Sequence, residues 1–269
     1  MAVKLEFVQQ PRATQALIDA WIMIKRSSTH ILRNTDQLLG TFFQPIMFLV
    51  LFATVFGGSI EKALPPGVKY LDFLMAGIIV QTVAFGSTTT AIAVCNDLQK
   101  GIVDRFRSLP MNNLAVLTGH VVSDLLRNTI STLVMIVTGL VMGFRSSASL
   151  RDWLLITGIL LLFTFSFSWL TAIVGIIAKS VEAVQWLTFV IIFPLTFASS
   201  AFVDPAHMPA GLRAFADNQP ITQVIDAVRA LILGTPIGNA GWISVGWSVA
   251  ILLISIPVAS ILFRRKSTS

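Results

Sequence analysis

The stretch Asp72–Asp97, DFLMAGIIVQTVAFGSTTTAIAVCND, holds no charged residue between its two aspartates. An α-helix rises about 1.5 Å per residue, so a run of this length crosses the roughly 30 Å hydrocarbon core of a bilayer. Continuous apolar character excludes a barrel strand, whose residues alternate. In lipid, a helix satisfies its own backbone hydrogen bonds. The pattern recurs outward from this stretch and predicts six helical spans at about 37–60, 73–96, 115–144, 153–178, 183–203 and 242–263. Span three is the least clean. It is charge-free only from Asn128 to Phe144, and its helical pattern begins near Leu114. That places His120, Asp124 and Arg127 at its inner end, below the membrane surface, as a local ion pair and hydrogen bond on a helix extension. The membrane centres of all six spans then look uncharged. Gly234, Pro236, Gly238 and Gly241 break the start of the last apolar run.

Composition leads to the same class. Of 269 residues, 55% are hydrophobic and 12% charged, about half the charged share of a soluble domain. The fold class is therefore an all-α integral membrane protein, one transmembrane domain over 1–269. Cys95 is the only cysteine, so an internal disulfide and the paired-cysteine metal or redox motifs are excluded. Three scattered histidines leave little material for a metal site. No GxxxxGK[ST], HExxH or GxSxG occurs, so neither a phosphate-cradling loop nor a familiar hydrolase motif is present. No catalytic residues are expected, and a lipid-modifying enzyme finds no converging nucleophile or acid pair.

Residues 1–35 lack the short apolar core of a cleavable signal and carry Lys4, Arg12, Lys25, Arg26 and Arg33, so the N-terminus is expected inside. With six spans, thirteen of nineteen basic residues fall on inner segments and six on outer ones. Acids divide as seven and six, so the whole net charge of +6 lies inside. Both termini are expected in the cytoplasm, and the basic balance is topological, not a nucleic-acid footprint.

Residues 12–33 read as an amphipathic interfacial helix, with Trp21 and Ile24 on its apolar face beside Lys25. It is either an anchor or a lever. The inner segment DLQKGIVDRFRSLPM, 97–111, mixes Asp97, Lys100, Asp104, Arg105 and Arg107 with apolar Val103 and Phe106. Gly101 can end the helix above it and Pro110 the short helix that follows. It is either a solvated connector or a helix shaped for a partner's groove. The outer segment 203–241 is too apolar for a flexible loop. After Pro220, Ile221, Val224, Ile225, Val228 and Ile232 repeat at helical spacing. Two short helices dipping into the outer leaflet fit it, as a gate or as a cap. Asn218, Pro220 and Arg229 are its candidate gate residues. GLVMG, Gly139–Gly143, matches the small-residue pattern of close helix approach, expected within one subunit.

These stretches resemble the membrane subunit of type-2 ABC exporters, specifically the daunorubicin-resistance permease group of bacteria. The match lies in DLQKGIVDRFRSLPM, in FPLTFASSAFVDPAHMP (Phe193–Pro209) and in NQPITQVIDAVRALILG (Asn218–Gly234). With the six-span layout it covers nearly the whole chain. The resemblance implies a coupling helix at 97–111, seated in a cleft of a separately encoded ATPase that binds ATP and Mg. It also implies two ATPase copies, a second permease subunit, and a path between subunits lined by spans one, two and five. Like subunits are the commoner arrangement, so a homodimer is expected, in the bacterial plasma membrane. Phe48 and Phe52 of span one, with Gln81, Thr88 and Thr89 of span two, would form an aromatic wall facing hydroxyls. Such a wall suits an amphipathic, partly planar cargo such as a drug or antibiotic. Alternatives are export of a lipid or lipid-linked glycan by the same machinery, or a non-transporting membrane receptor or assembly subunit.

Overall fold

The computed structural model describes residues 35–64, 67–100 and 113–266, and among these every regular element is helical. The expected interfacial helix 12–33 and most of the expected coupling segment, 101–111, lie outside the described residues. Helix α1, Thr35–Leu51, continues through a π-helical turn, Phe52–Phe56, and a last turn at Gly57–Ile60. There follow α2 (Tyr70–Gly86), α3 (Thr88–Gln99), α4 (Asn113–Met142), α5 (Leu150–Ile177), α6 (Val181–Phe197), α7 (Ala210–Asn218), α8 (Pro220–Leu233) and α9 (Ala240–Lys266). The long helices alternate in direction. Gln99, Asn113, Ile177, Val181 and Lys266 therefore share what is here termed the lower end, and α7 and α8 lie at the upper end.

Five stretches are long and apolar enough to cross a membrane: Phe43–Ile60, Tyr70–Gln99, Val116–Met142, Leu150–Ile177 and Ala240–Lys266. The run expected to form a span at 183–203 is different. Its helix, α6, has 17 residues, about 25 Å at the α-helical rise. Ser199 ends it locally: the hydroxyl donates to the Thr196 carbonyl and accepts from the Ala201 amide, which offers the backbone an alternative to the helix ladder. The chain then turns into the bundle, where Ala201 and Phe202 are buried.

Caps mark the other boundaries. Ser149 and Asp152 form a reciprocal capping box at the start of α5, and Ser180 accepts from the Ala183 amide at the start of α6. Gly143, at φ +102°, ends α4, a conformation that costs glycine little. The Lys266 ammonium donates to the Ile176 and Ala178 carbonyls and so caps the lower end of α5 from α9.

Helix α2 is buried on nearly every side, packed by α4, α8 and α1, while α5 is held by α9 and α3. Two glycines make this density possible. A Cβ on Gly77 would stand 2.3 Å from the Ala201 carbonyl oxygen, and one on Gly175 would stand 2.3 Å from that of Ala91. Gly139, in GLVMG, sits against Met75 of the same chain. Cys95 is also fully enclosed, its sulfur 4.0 Å from the Ala178 carbonyl.

Backbone atoms cannot yield like the tip of a flexible side chain. Gly77→Ala and Gly175→Ala should each cost about 1–3 kcal/mol by overpacking, read as a fall of several degrees in melting temperature in detergent. Gly158 has open space around its Cβ position. There, Gly158→Ala should hold or raise the melting temperature through the about 0.5–1 kcal/mol of helix propensity gained.

Candidate functional site

The run expected to form one helix, 73–96, is interrupted at Ser87. Gly86 is a weak helix former, and the threonines after it offer hydroxyls that compete for backbone carbonyls. Ser87 donates to the Ala84 carbonyl (2.6 Å) and Thr89 to that of Gly86 (2.7 Å). From α5, Thr171 donates to the Ser87 carbonyl at 2.9 Å. The break is thus satisfied by a neighbouring helix.

A cavity of about 80 Å³ opens beside this break. Helix α1 supplies Gln44, Pro45 and Phe48 to its wall; α2 supplies Gln81, Thr82, Phe85 and Gly86, and α3 supplies Thr89. Gln81 is 4% exposed, and neither its amide nitrogen nor its amide oxygen has a hydrogen-bond partner in the protein. Phe48 begins an aromatic series joining α1 to α6. Its ring lies 6.1 Å from Phe52 and 6.0 Å from Phe197; Phe52 stacks on Phe202 at 4.3 Å, and Phe197 stacks on Phe193 at 4.2 Å.

Below the break lies a cluster of ionisable groups. Asp124 is fully buried and pairs with Arg127 on its own helix. It also accepts from the hydroxyls of Thr89 on α3, at 3.1 Å, and Ser168 on α5. His120 does not join this pair. Its Nε2 lies 2.9 Å from Asp97 at the foot of α3. Asp124 and Arg127 lie within Val116–Met142, a stretch long and apolar enough to cross a membrane.

At the upper end the opposing feature is a clamp. Arg229, 8% exposed, donates to the carbonyls of Phe73 (3.2 Å) and Ser200 and pairs with Asp226 at 3.0 Å. Its guanidinium carbon stands 3.6 Å over the Phe73 ring. Burial pulls the guanidinium down to about 10 while Asp226 holds it up, so it stays cationic at neutral pH. The Tyr70 hydroxyl donates to the Phe202 carbonyl at 3.2 Å. Helix α8 is thereby fastened to the head of α2 and to the turn after α6.

Residues 19–233 match the ABC-2 type transporter family. The chain belongs to that family. The daunorubicin resistance ABC transporter permease protein DrrB1 of Streptomyces coeruleorubidus is similar to it, 32% identical over 235 residues, covering 86% of this chain and 81% of that one. The doxorubicin resistance ABC transporter permease protein DrrB of Mycobacterium tuberculosis is 26% identical over 222 residues, covering 78% and 74%. The protein is accordingly the membrane permease component of an ABC transporter.

Of the residues singled out in the sequence, Phe48, Gln81 and Thr89 meet at the cavity of this ABC-2 permease. Phe52 lies outside the lining in the aromatic series, and Thr88 lies at the top of α3, not on the cavity wall. Asp97 and Lys100 stand at the foot of α3. Gly101, Val103, Asp104, Arg105, Phe106, Arg107 and Pro110 fall outside the described residues, as do Trp21, Ile24 and Lys25. Asn218 and Pro220 flank the elbow between α7 and α8, where exposed Asn218 donates to the Ala214 carbonyl at 2.8 Å and half-buried Pro220 opens α8. The residue that pins this elbow is Gln219, between them. Its amide donates to the carbonyls of Leu195 (2.7 Å) and Ala198 (2.8 Å) at the end of α6. No periodicity in the sequence singles it out. Among the described residues, no three His, Cys, Asp or Glu side chains converge on a metal position.

Arg229 bonds two carbonyls and a carboxylate, whereas Arg213 makes one exposed pair with Asp217 at 3.4 Å. An exposed pair is worth about 0–1 kcal/mol. Arg229→Ala should therefore lower the melting temperature by several degrees and Arg213→Ala by about one. Arg229→Lys should fall close to Arg229→Ala, because an ammonium cannot serve three separated acceptors in a planar fork.

Proposed function

We propose that this permease is the membrane half of an ATP-driven exporter that moves amphipathic, partly planar small molecules, drugs and antibiotics among them, out of the cell. The observation that carries the reading is the cavity beside the break at Ser87. There an amide buried without a protein partner, Gln81, is set between Phe48, Phe85 and Thr89. Leaving such a group unpaired costs about 1–3 kcal/mol, a cost that a bound molecule with a polar edge removes while its rings rest on the phenylalanines. The drug-resistance names of the similar permeases support this cargo class.

A drug-sized site holds about 300–1,000 Å³, more than the cavity of one chain, so a second, identical permease completes it. Phe43 and Met47, exposed on α1 near the cavity wall, supply apolar surface for that pairing. The chain has no phosphate-cradling motif of its own. ATP and Mg bind two copies of a separate ATPase, which docks on 97–111 and pushes through α3 towards the cavity. In this arrangement the interfacial helix 12–33 lies along the inner surface of the bacterial plasma membrane and α6 completes six spans. The termini are cytoplasmic, and α7 with α8 forms the re-entrant outer pair.

Two experiments test the reading. Gentle detergent extraction from native membranes should co-purify a stoichiometric P-loop polypeptide, and a permease recovered alone, without ATPase activity in its fractions, overturns it. In proteoliposomes holding the complex, Gln81→Met should reduce daunorubicin transport about tenfold while the melting temperature stays level or rises, since the unpaired amide is removed. Undiminished transport rules out Gln81 as a cargo contact.

A further inference from the structure

The cavity wall is held from behind by groups that never reach the cavity. Thr89 lines it, and its single hydroxyl proton has two acceptors, the Gly86 carbonyl at 2.7 Å and the Asp124 carboxylate at 3.1 Å. A helical threonine divides between two χ1 rotamers because its hydroxyl can bond the preceding turn. A second, anionic acceptor favours the one rotamer that reaches both. Asp124 is itself fixed by Arg127 and by the Ser168 hydroxyl on α5. The next residue on α4, Asn128, is 1% exposed and abuts Gly86, whose added Cβ would meet the Asn128 amide oxygen at 2.0 Å. The two wall residues flanking the break thus rest on adjoining turns of α4.

Stability alone does not account for this arrangement. A carboxylate and a guanidinium inside an apolar bundle are costly to desolvate, and apolar replacements of such pairs are often neutral or stabilising. Arg127 also keeps a buried Nε without a partner, so the cluster is incompletely satisfied.

We infer that Asp124 is the positioning residue of the cargo cavity. Held by Arg127 and Ser168, it sets the Thr89 hydroxyl on the wall and so tunes cargo affinity without touching the cargo. The inference rests on the cavity reading proposed above. It also ties the wall to α3, the helix that runs down from Thr89 to Gln99 and the segment that receives the ATPase.

The test uses the full permease–ATPase complex in nanodiscs and proteoliposomes, with daunorubicin as the probe. Two readouts are taken: hydrogen exchange of the peptide covering residues 86–90, which needs no cargo, and the KM and maximal rate of transport. Asp124→Asn and Ser168→Ala should both accelerate exchange at 86–90, by about fivefold for loss of one hydrogen bond. Ser168→Ala is the gentler variant, since it leaves the buried ion pair intact. Thr89→Val should raise KM about fivefold with a maximal rate within about twofold, and Thr89→Ser should restore the wild-type KM. Combining Thr89→Val with Asp124→Asn should raise KM no further than either alone, a non-additivity that general destabilisation does not produce. Unchanged exchange in both Asp124→Asn and Ser168→Ala overturns the inference whatever the cargo is. Accelerated exchange with an unchanged KM also overturns it. Accelerated exchange in a complex whose wild type moves no daunorubicin upholds the positioning of Thr89 by Asp124 and defeats the drug reading of the cavity instead.

Discussion

A helix interrupted inside an apolar bundle frees peptide groups that lipid cannot satisfy, and at Ser87 the surrounding helices are arranged to meet that demand. Thr171 reaches across from α5 to the Ser87 carbonyl, which also accepts from the Thr90 amide at 3.0 Å, and the hydroxyls of Ser87 and Thr89 close the local turns. Close approach is needed for these bonds, and small residues recur around them: Gly86 against Asn128 and, directly after the threonines, Ala91 against Gly175. The cavity opens beside this point, between α1 and the two helices that meet there.

The two arginines buried among the described residues are in different circumstances. Arg229 has each of its nitrogens served, by two carbonyls and a carboxylate, with an aromatic face beneath it. Satisfied networks of this kind rigidify, and the upper end is bound together by one. Arg127 has a single carboxylate and an unserved nitrogen. The permease therefore combines a fastened upper end with a cluster of lower satisfaction beneath the cavity.

Charge-free runs made the helical class and the positions of the long helices legible in the sequence, because apolar length is a local property. Phe48, Gln81 and Thr89 could be set near one another for the same reason, as side chains on two consecutive spans. The break at Ser87 left a readable trace in GSTTT, a weak helix former followed by β-branched hydroxyl residues, but hydropathy passes over it. Pairings between distant segments left none. That Arg229 would bond the Phe73 and Ser200 carbonyls, 156 and 29 residues away, or that His120 would turn from Asp124 to Asp97, depends on helix rotation that no pattern in one chain specifies. The end of α6 lies earlier than the charge-free run suggests, because Ala198–Phe202 carries no charge yet folds as a largely buried turn.

The enclosure of Cys95 has a practical reach. It is the only thiol of the chain, and it is sealed between α3 and the start of the α5–α6 connection. Reagents that modify thiols from water meet no native target on the intact protein. A cysteine introduced at a surface position such as Val55 or Trp242, each exposed, would therefore carry a spin label or fluorophore against a silent background. Motion at the labelled position could then be followed without first removing the native cysteine.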